Sequence, residues 1–110
     1  MGSASEVVHC YCQLASTLAQ MLELARAKQW ESLPRLDAEC TSIIDRLRAI
    51  EPHELLEPLQ LAHVHELLAR IRADQAGVRG LVRPQLEQLA RELHQLQQQQ
   101  NLAKAYRPRS

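Results

Sequence analysis

Apolar residues three and four apart recur from one end of this chain to the other, and no other feature limits its fold so strongly. Val7, Tyr11, Leu14, Leu18, Met21 and Ala25 keep the alternation. So do Leu33, Leu36, Cys40, Ile43, Leu47 and Ile50, then Val64, Leu68, Ile71, Gln75 and Val78, and finally Leu86, Leu89, Leu93 and Leu96. This spacing paints one apolar stripe along an α-helix and suits helices packed on helices with left-handed, coiled-coil-like crossings. A chain built almost wholly of such stripes works through helix surfaces, by binding, more often than through a chemical site.

The rest of the composition agrees. Phe is absent and aromatics make up 3% of the 110 residues, which leaves helix-forming rather than strand-forming stock. The expectation is an all-α fold: an antiparallel bundle of three to four helices, with a long kinked third helix and a C-terminal helical segment. It forms one domain over residues 1–110, in which 97–110 packs weakly. The formal charge of zero argues against a dedicated nucleic-acid binder, because neutralising phosphates needs a net basic face. Three cysteines are an odd count outside any disulfide framework, which favours a reducing, cytoplasmic setting. The stretch from Val7 to Leu22 is too short and too polar to span a membrane, and it lacks the basic lead of a signal peptide. Met1-Gly2 suggests myristoylation, but Glu6 stands where that motif needs Ser or Thr.

Ser3 and Glu6 have the spacing of a capping box, which starts the first helix there and carries it to about Ala27. Arg26 and Lys28 then suit the negative end of the helix dipole. Pro34 is tolerated only in the first turn of a helix, so the second starts near Trp30 to Ser32 and folds back on the first as an antiparallel hairpin. Pro52 pushes Glu51 out of helical geometry and ends the second helix. A third stretch runs from about Leu59 and meets Gly77, Gly80 and Pro84. Pro84 in a helix presses on the carbonyl of Gly80, a residue able to bend away, so a kinked long helix is expected, with a turn and a fresh helix at Pro84 as the alternative. Gln97 to Gln100 is low-complexity and carries little to bury.

No constellation here carries a reaction. Cys10 and Cys12, like His63 and His65, are two apart and point to nearly opposite sides of a helix, so neither pair grips one ion. His9, His53 and His94 are scattered, and no Glu-x-x-His pair faces a stripe. Phosphate loops, nucleophile elbows and zinc signatures are absent from the sequence. The chain is read as no enzyme, with no cofactor and no metal. Arg72, Arg79 and Arg83 share one face, either as a solvated stripe or as a surface for an anionic partner. Gln75 and Gln100 occupy stripe positions where Leu would stabilise more; such residues fix register or partner number, or mark where a stripe leaves the core. Trp30, the only Trp, is expected to cap the end of the bundle, with a binding hot spot as the other reading.

The segment Met21-Leu22-Glu23-Leu24-Ala25-Arg26-Ala27-Lys28-Gln29-Trp30-Glu31-Ser32-Leu33 resembles the first hairpin of the flagellar FliT family. Val78-Arg79-Gly80-Leu81-Val82, Pro84-Gln85-Leu86-Glu87-Gln88-Leu89 and Asn101-Leu102-Ala103-Lys104-Ala105-Tyr106 follow in matching order. The resemblance implies a small cytoplasmic helical chaperone for type III protein export in flagellum biogenesis. It would bind the filament-cap protein, keep that subunit's sticky end from self-associating, and bring it to the cytoplasmic domain of the export-gate membrane protein and to the export ATPase complex. Binding and inhibition of the flagellar master transcription activator is a further implied role. The C-terminal segment of the family is expected to fold over the binding face and regulate access. This chain departs from the family in its very short tail after Tyr106.

Leu24, Ile44, Leu55, Leu56, Leu67 and Leu81 add apolar area beside the stripes, more than a solitary three-helix core needs, and so suggest a groove for an amphipathic partner helix. The client-binding residues are therefore expected to be Ile44, Leu47, Val64, Leu67, Leu68 and Ile71. Tyr106, Leu102 and Lys104, near the cations Arg107 and Arg109, are expected to touch the export gate or to regulate access. The competing class is a self-associating coiled-coil scaffold or adaptor, in which a homodimer buries the surplus.

Overall fold

The computed structural model describes residues 4–50 and 56–106, and within them the chain is all α-helix apart from its turns. Helix α1 spans Ala4–Arg26, a single 3-10 turn spans Trp30–Ser32, α2 spans Leu33–Ala49 and α3 spans Pro58–Ala105. Ser3, Glu51, Pro52, His53, Leu55, Arg107 and Arg109, which entered the expectations above, lie outside the described residues.

The end of α1 has a specific chemical cause. Lys28 adopts the left-handed conformation, with φ of 60°. Its N–H donates to the carbonyl of Ala25 at 3.1 Å, and that of Gln29 to the carbonyl of Leu24 at 2.8 Å. This pair of bonds is the Schellman arrangement that closes a helix by satisfying its last carbonyls. The chain reverses within the next residues, and Pro34 sits in the first turn of α2 as its missing donor requires. Contacts along the hairpin fix its sense: Arg46 Nη2 donates to Gln13 Oε1 at 3.0 Å, and the Cys40 thiol lies 3.9 Å from Met21 Sδ. Residues late in α2 thus face residues early in α1, as expected of an antiparallel hairpin.

The start of α3 carries a device that the stripe reading passed over. The N–H of Glu57 donates to Gln60 Oε1 at 3.1 Å, the backward arm of a capping box, with Pro58 in the first turn. The helix then continues through Pro84 without the turn offered as the alternative, for 48 residues in all. A helix of that length measures about 72 Å, and the longest dimension of the molecule is 77 Å.

The core is made by α1 with each neighbour in turn. Cys10, Leu14, Leu18, Met21 and Ala25 of α1 pack with Leu33, Leu36, Cys40 and Ile43 of α2 and with Leu67, Ile71 and Val78 of α3. Helices α2 and α3 scarcely meet each other. On α3 the buried register is Val64, Leu67, Ile71 and Val78, so the stripe expected through Leu68 and Gln75 is displaced by one residue; Leu68 is half-buried and Gln75 exposed. Gly77 permits the close approach of α3 to α1, since a β-carbon there would stand 2.9 Å from Leu22 Cδ1. Gly80 has open space instead, with nothing within 4 Å of an added β-carbon. Gly80→Ala should therefore stabilise the helix by about 0.5–1 kcal/mol, read as a higher urea midpoint; a lower midpoint would show that Pro84 needs the glycine.

Candidate binding groove

Because α2 and α3 both lean on α1 without closing on each other, a trough remains between them. Its volume is about 790 Å³. Leu14, Leu18 and Met21 of α1 form the floor. Leu33, Cys40 and Ile44 of α2 form one wall, Val78, Val82, Leu86 and Leu89 of α3 the other, and Trp30 stands at the hairpin end. Charges rim this apolar channel, with Asp37 on the α2 side and Arg79, Arg83 and Glu92 on the α3 side.

The geometry of α3 explains why one wall outlasts the other. It returns from the far end of α2 and so runs parallel to α1, and Gly77 lies beside Leu22. Beyond about residue 82 the helix passes the hairpin turn and projects about 36 Å further. Leu86, Leu89, Leu93, Leu96, Leu102 and Tyr106 are all exposed along this overhang, Tyr106 by 81%. The expected folding of the C-terminal segment over the binding face is thus not what the chain does, because 97–106 is the end of an unbroken helix pointing away from the hairpin.

The expected client-binding residues separate accordingly. Ile44 lines the trough. Val64, Leu67 and Ile71 do not: each is buried in the core at 4–5% exposure, and none can meet a partner without unpacking α3. Leu47 packs half-buried against the core, and Leu68 is half-buried on α3. Leu102, Lys104 and Tyr106 are exposed at the tip of the overhang. The floor residues escaped the sequence reading because they were already assigned to the α1 stripe. Trp30 packs half-buried against the core, as a cap at the end of the bundle does, and also lines the groove.

Among the described residues no three His, Cys, Asp or Glu side chains gather to hold a metal ion. Cys10 is buried and Cys12 half-buried, and all three thiols are free. Burial, helped by the nearby carboxylates of Asp37 and Glu39, pushes the Cys40 thiol above its ordinary range, so it stays protonated in the groove wall. No helix of the described residues is long and apolar enough to cross a membrane.

These features define a class, a small helical protein with an open apolar trough between its helices. The family model for flagellar protein FliT matches residues 8–108, and the chain belongs to the FliT family. A crystal structure of flagellar protein FliT from Bordetella bronchiseptica is similar to it, with a TM-score of 0.71 and 33% sequence identity over 76% of this chain and 94% of that one. No curated protein sequence matches this chain.

Proposed function

We propose that this protein is a cytoplasmic flagellar export chaperone that holds an amphipathic segment of the filament-cap protein in the α2–α3 trough. The observation that carries the reading is the trough itself, an open channel floored by Leu14, Leu18 and Met21 in a chain of the FliT family. A client helix laid there would bury its apolar stripe against these leucines and methionine, the usual way a groove takes a helix. The rim charges would set its orientation more than its affinity. Delivery to the export-gate membrane protein and the export ATPase complex then falls to exposed residues, of which Leu102, Lys104 and Tyr106 at the tip of α3 are the proposed contacts. Inhibition of the master transcription activator is a further role within the same reading, and no catalytic step is needed for any of them.

Titrating a peptide from the C-terminal end of the cap protein into the purified chain tests the groove. Ile44→Asp and Leu86→Asp, on opposite walls, should each weaken binding at least about tenfold, or ~1.4 kcal/mol. Leu59→Asp, at a position 86% exposed outside the groove, should leave it unchanged. Equal affinity for all three variants would move the client off this surface.

A further inference from the structure

The two lips of the trough carry opposite charge. On α3 the lip bears Arg79 and Arg83, and Arg72, one heptad before Arg79, continues it toward the start of the helix. All three side chains are exposed. The positions three and four away, where an intrahelical partner would stand, hold no carboxylate for Arg72 or Arg79. Glu87 follows Arg83 by four, the weaker order for such a pair, and no ion pair joins them. Arg79 and Arg83 also stand one turn apart, where like charges repel and weaken the helix. On α2 the lip bears Asp37. Cys40 lies beside Met21 and Gly77 beside Leu22, which sets Asp37 level with Arg79 across the gap. Among the described residues no ion pair joins Asp37 to either arginine, so the trough holds these opposite charges apart.

We propose that the trough selects an amphipathic helix with an acidic flank turned to α3 and a basic flank turned to α2, and that this charge pattern fixes the direction in which the helix lies. The inference rests on the trough being the client site. A carboxylate recurring every seven residues along one flank would meet Arg72 and then reach both Arg79 and Arg83. Its charge relieves the repulsion between those two arginines, which a flank of lysines would compound. On the other side a cation of the same helix meets Asp37.

Direction follows from the handedness of the α-helix. Viewed from the start of α1, with about 100° per residue, the side chains pass clockwise from Gln13, bonded to Arg46 of α2, through Leu14 and Leu18 on the floor, to Leu22 beside Gly77 of α3. A helix laid in the trough parallel to α1, with heptad positions a and d on the floor, then turns its g positions to α3 and its e positions to α2. Laid antiparallel, it exchanges them. A client with acids at g and bases at e therefore runs parallel to α1, with its C-terminal end at the hairpin. The reverse pattern runs the other way.

Two peptides of identical composition test this, each three heptads or about 31 Å long as a helix, with Leu at a and d and a single Cys at the N-terminal end. One carries Glu at g and Lys at e, and the other has the two exchanged. Each is mixed under mild oxidation, at concentrations where the peptide is monomeric, with full chains carrying Cys12→Ser and one further cysteine. That cysteine is Gln85→Cys at the hairpin end of the trough or Arg48→Cys at the far end, both at exposed positions. The peptide with Glu at g should cross-link at least about tenfold more to Arg48→Cys than to Gln85→Cys, and its counterpart should show the opposite preference. Arg72→Glu, Arg79→Glu, Arg83→Glu and Asp37→Lys together, all at exposed positions, should exchange the two outcomes. Peptides that prefer the same end, prefer neither, or fail to cross-link overturn the inference, and so does a preference that survives the charge reversal. Ile44→Asp separates the inference from the reading beneath it. Cross-linking that is lost in this variant but shows no direction in the parent leaves the trough standing as the client site, whereas cross-linking indifferent to Ile44→Asp removes both.

Discussion

Leu67→Asp should abolish the folded domain rather than merely its partner binding. Leu67 is 5% exposed and packs in the core that α3 shares with α1. The change removes a buried apolar side chain and asks a carboxylate to sit in the same place with no cation described beside it. Loss of the leucine alone costs about 2–5 kcal/mol, and the unpaired charge adds several more unless it takes up a proton. A small domain has about 5–15 kcal/mol in total, so most of the stability is spent at one position. Circular dichroism at 25 °C should show the helical signal largely lost, while Ile44→Asp, on a half-buried groove residue, keeps it. A Leu67→Asp chain that melts near the parent temperature would place the core face of α3 elsewhere.

Leu18→Ala is the second large effect, expected at about 2–5 kcal/mol because a buried leucine is truncated between two packed neighbours. Leu18 is 4% exposed and sits in the middle of α1, the one helix that packs on both others, so the cavity left behind opens between elements that cannot close over it together. Leu59→Ala, at the start of α3, should change stability by no more than about 0.5 kcal/mol. Urea unfolding monitored at 222 nm reads both; a Leu18→Ala loss below that smaller figure would show that α1 is not the centre of the core.

The fold was legible because helix length, helix ends and hairpin sense all follow from local chemistry. Pro34 fixed the start of α2, and the α1 stripe from Leu14 to Ala25 is the one that is buried. The register of α3 was harder, since Leu67 and Leu68 are adjacent and each continues a permitted three-four alternation; only the position of α1 decides which leucine turns inward. The distal stripe from Leu86 to Leu96 looked like core for a related reason. Periodicity reports that a helix has an apolar side, but not what covers it. Of the described residues read as surplus apolar area, Ile44 alone lines the trough, and the floor was not foreseen, because a residue such as Leu18 can be buried by two neighbours and still line the gap those neighbours leave.

Trp30 gives this molecule a built-in optical reporter. It is the sole tryptophan, the chain has only two tyrosines, and the indole stands half-buried at the hairpin end of the trough. Emission excited at the red edge of protein absorbance therefore comes from that one place. Whatever helix settles beside it must displace water from the indole, moving the emission to shorter wavelength and shielding it from a dissolved quencher such as iodide. Groove occupancy can thus be followed in the native chain, at low concentration and in real time, without attaching a dye.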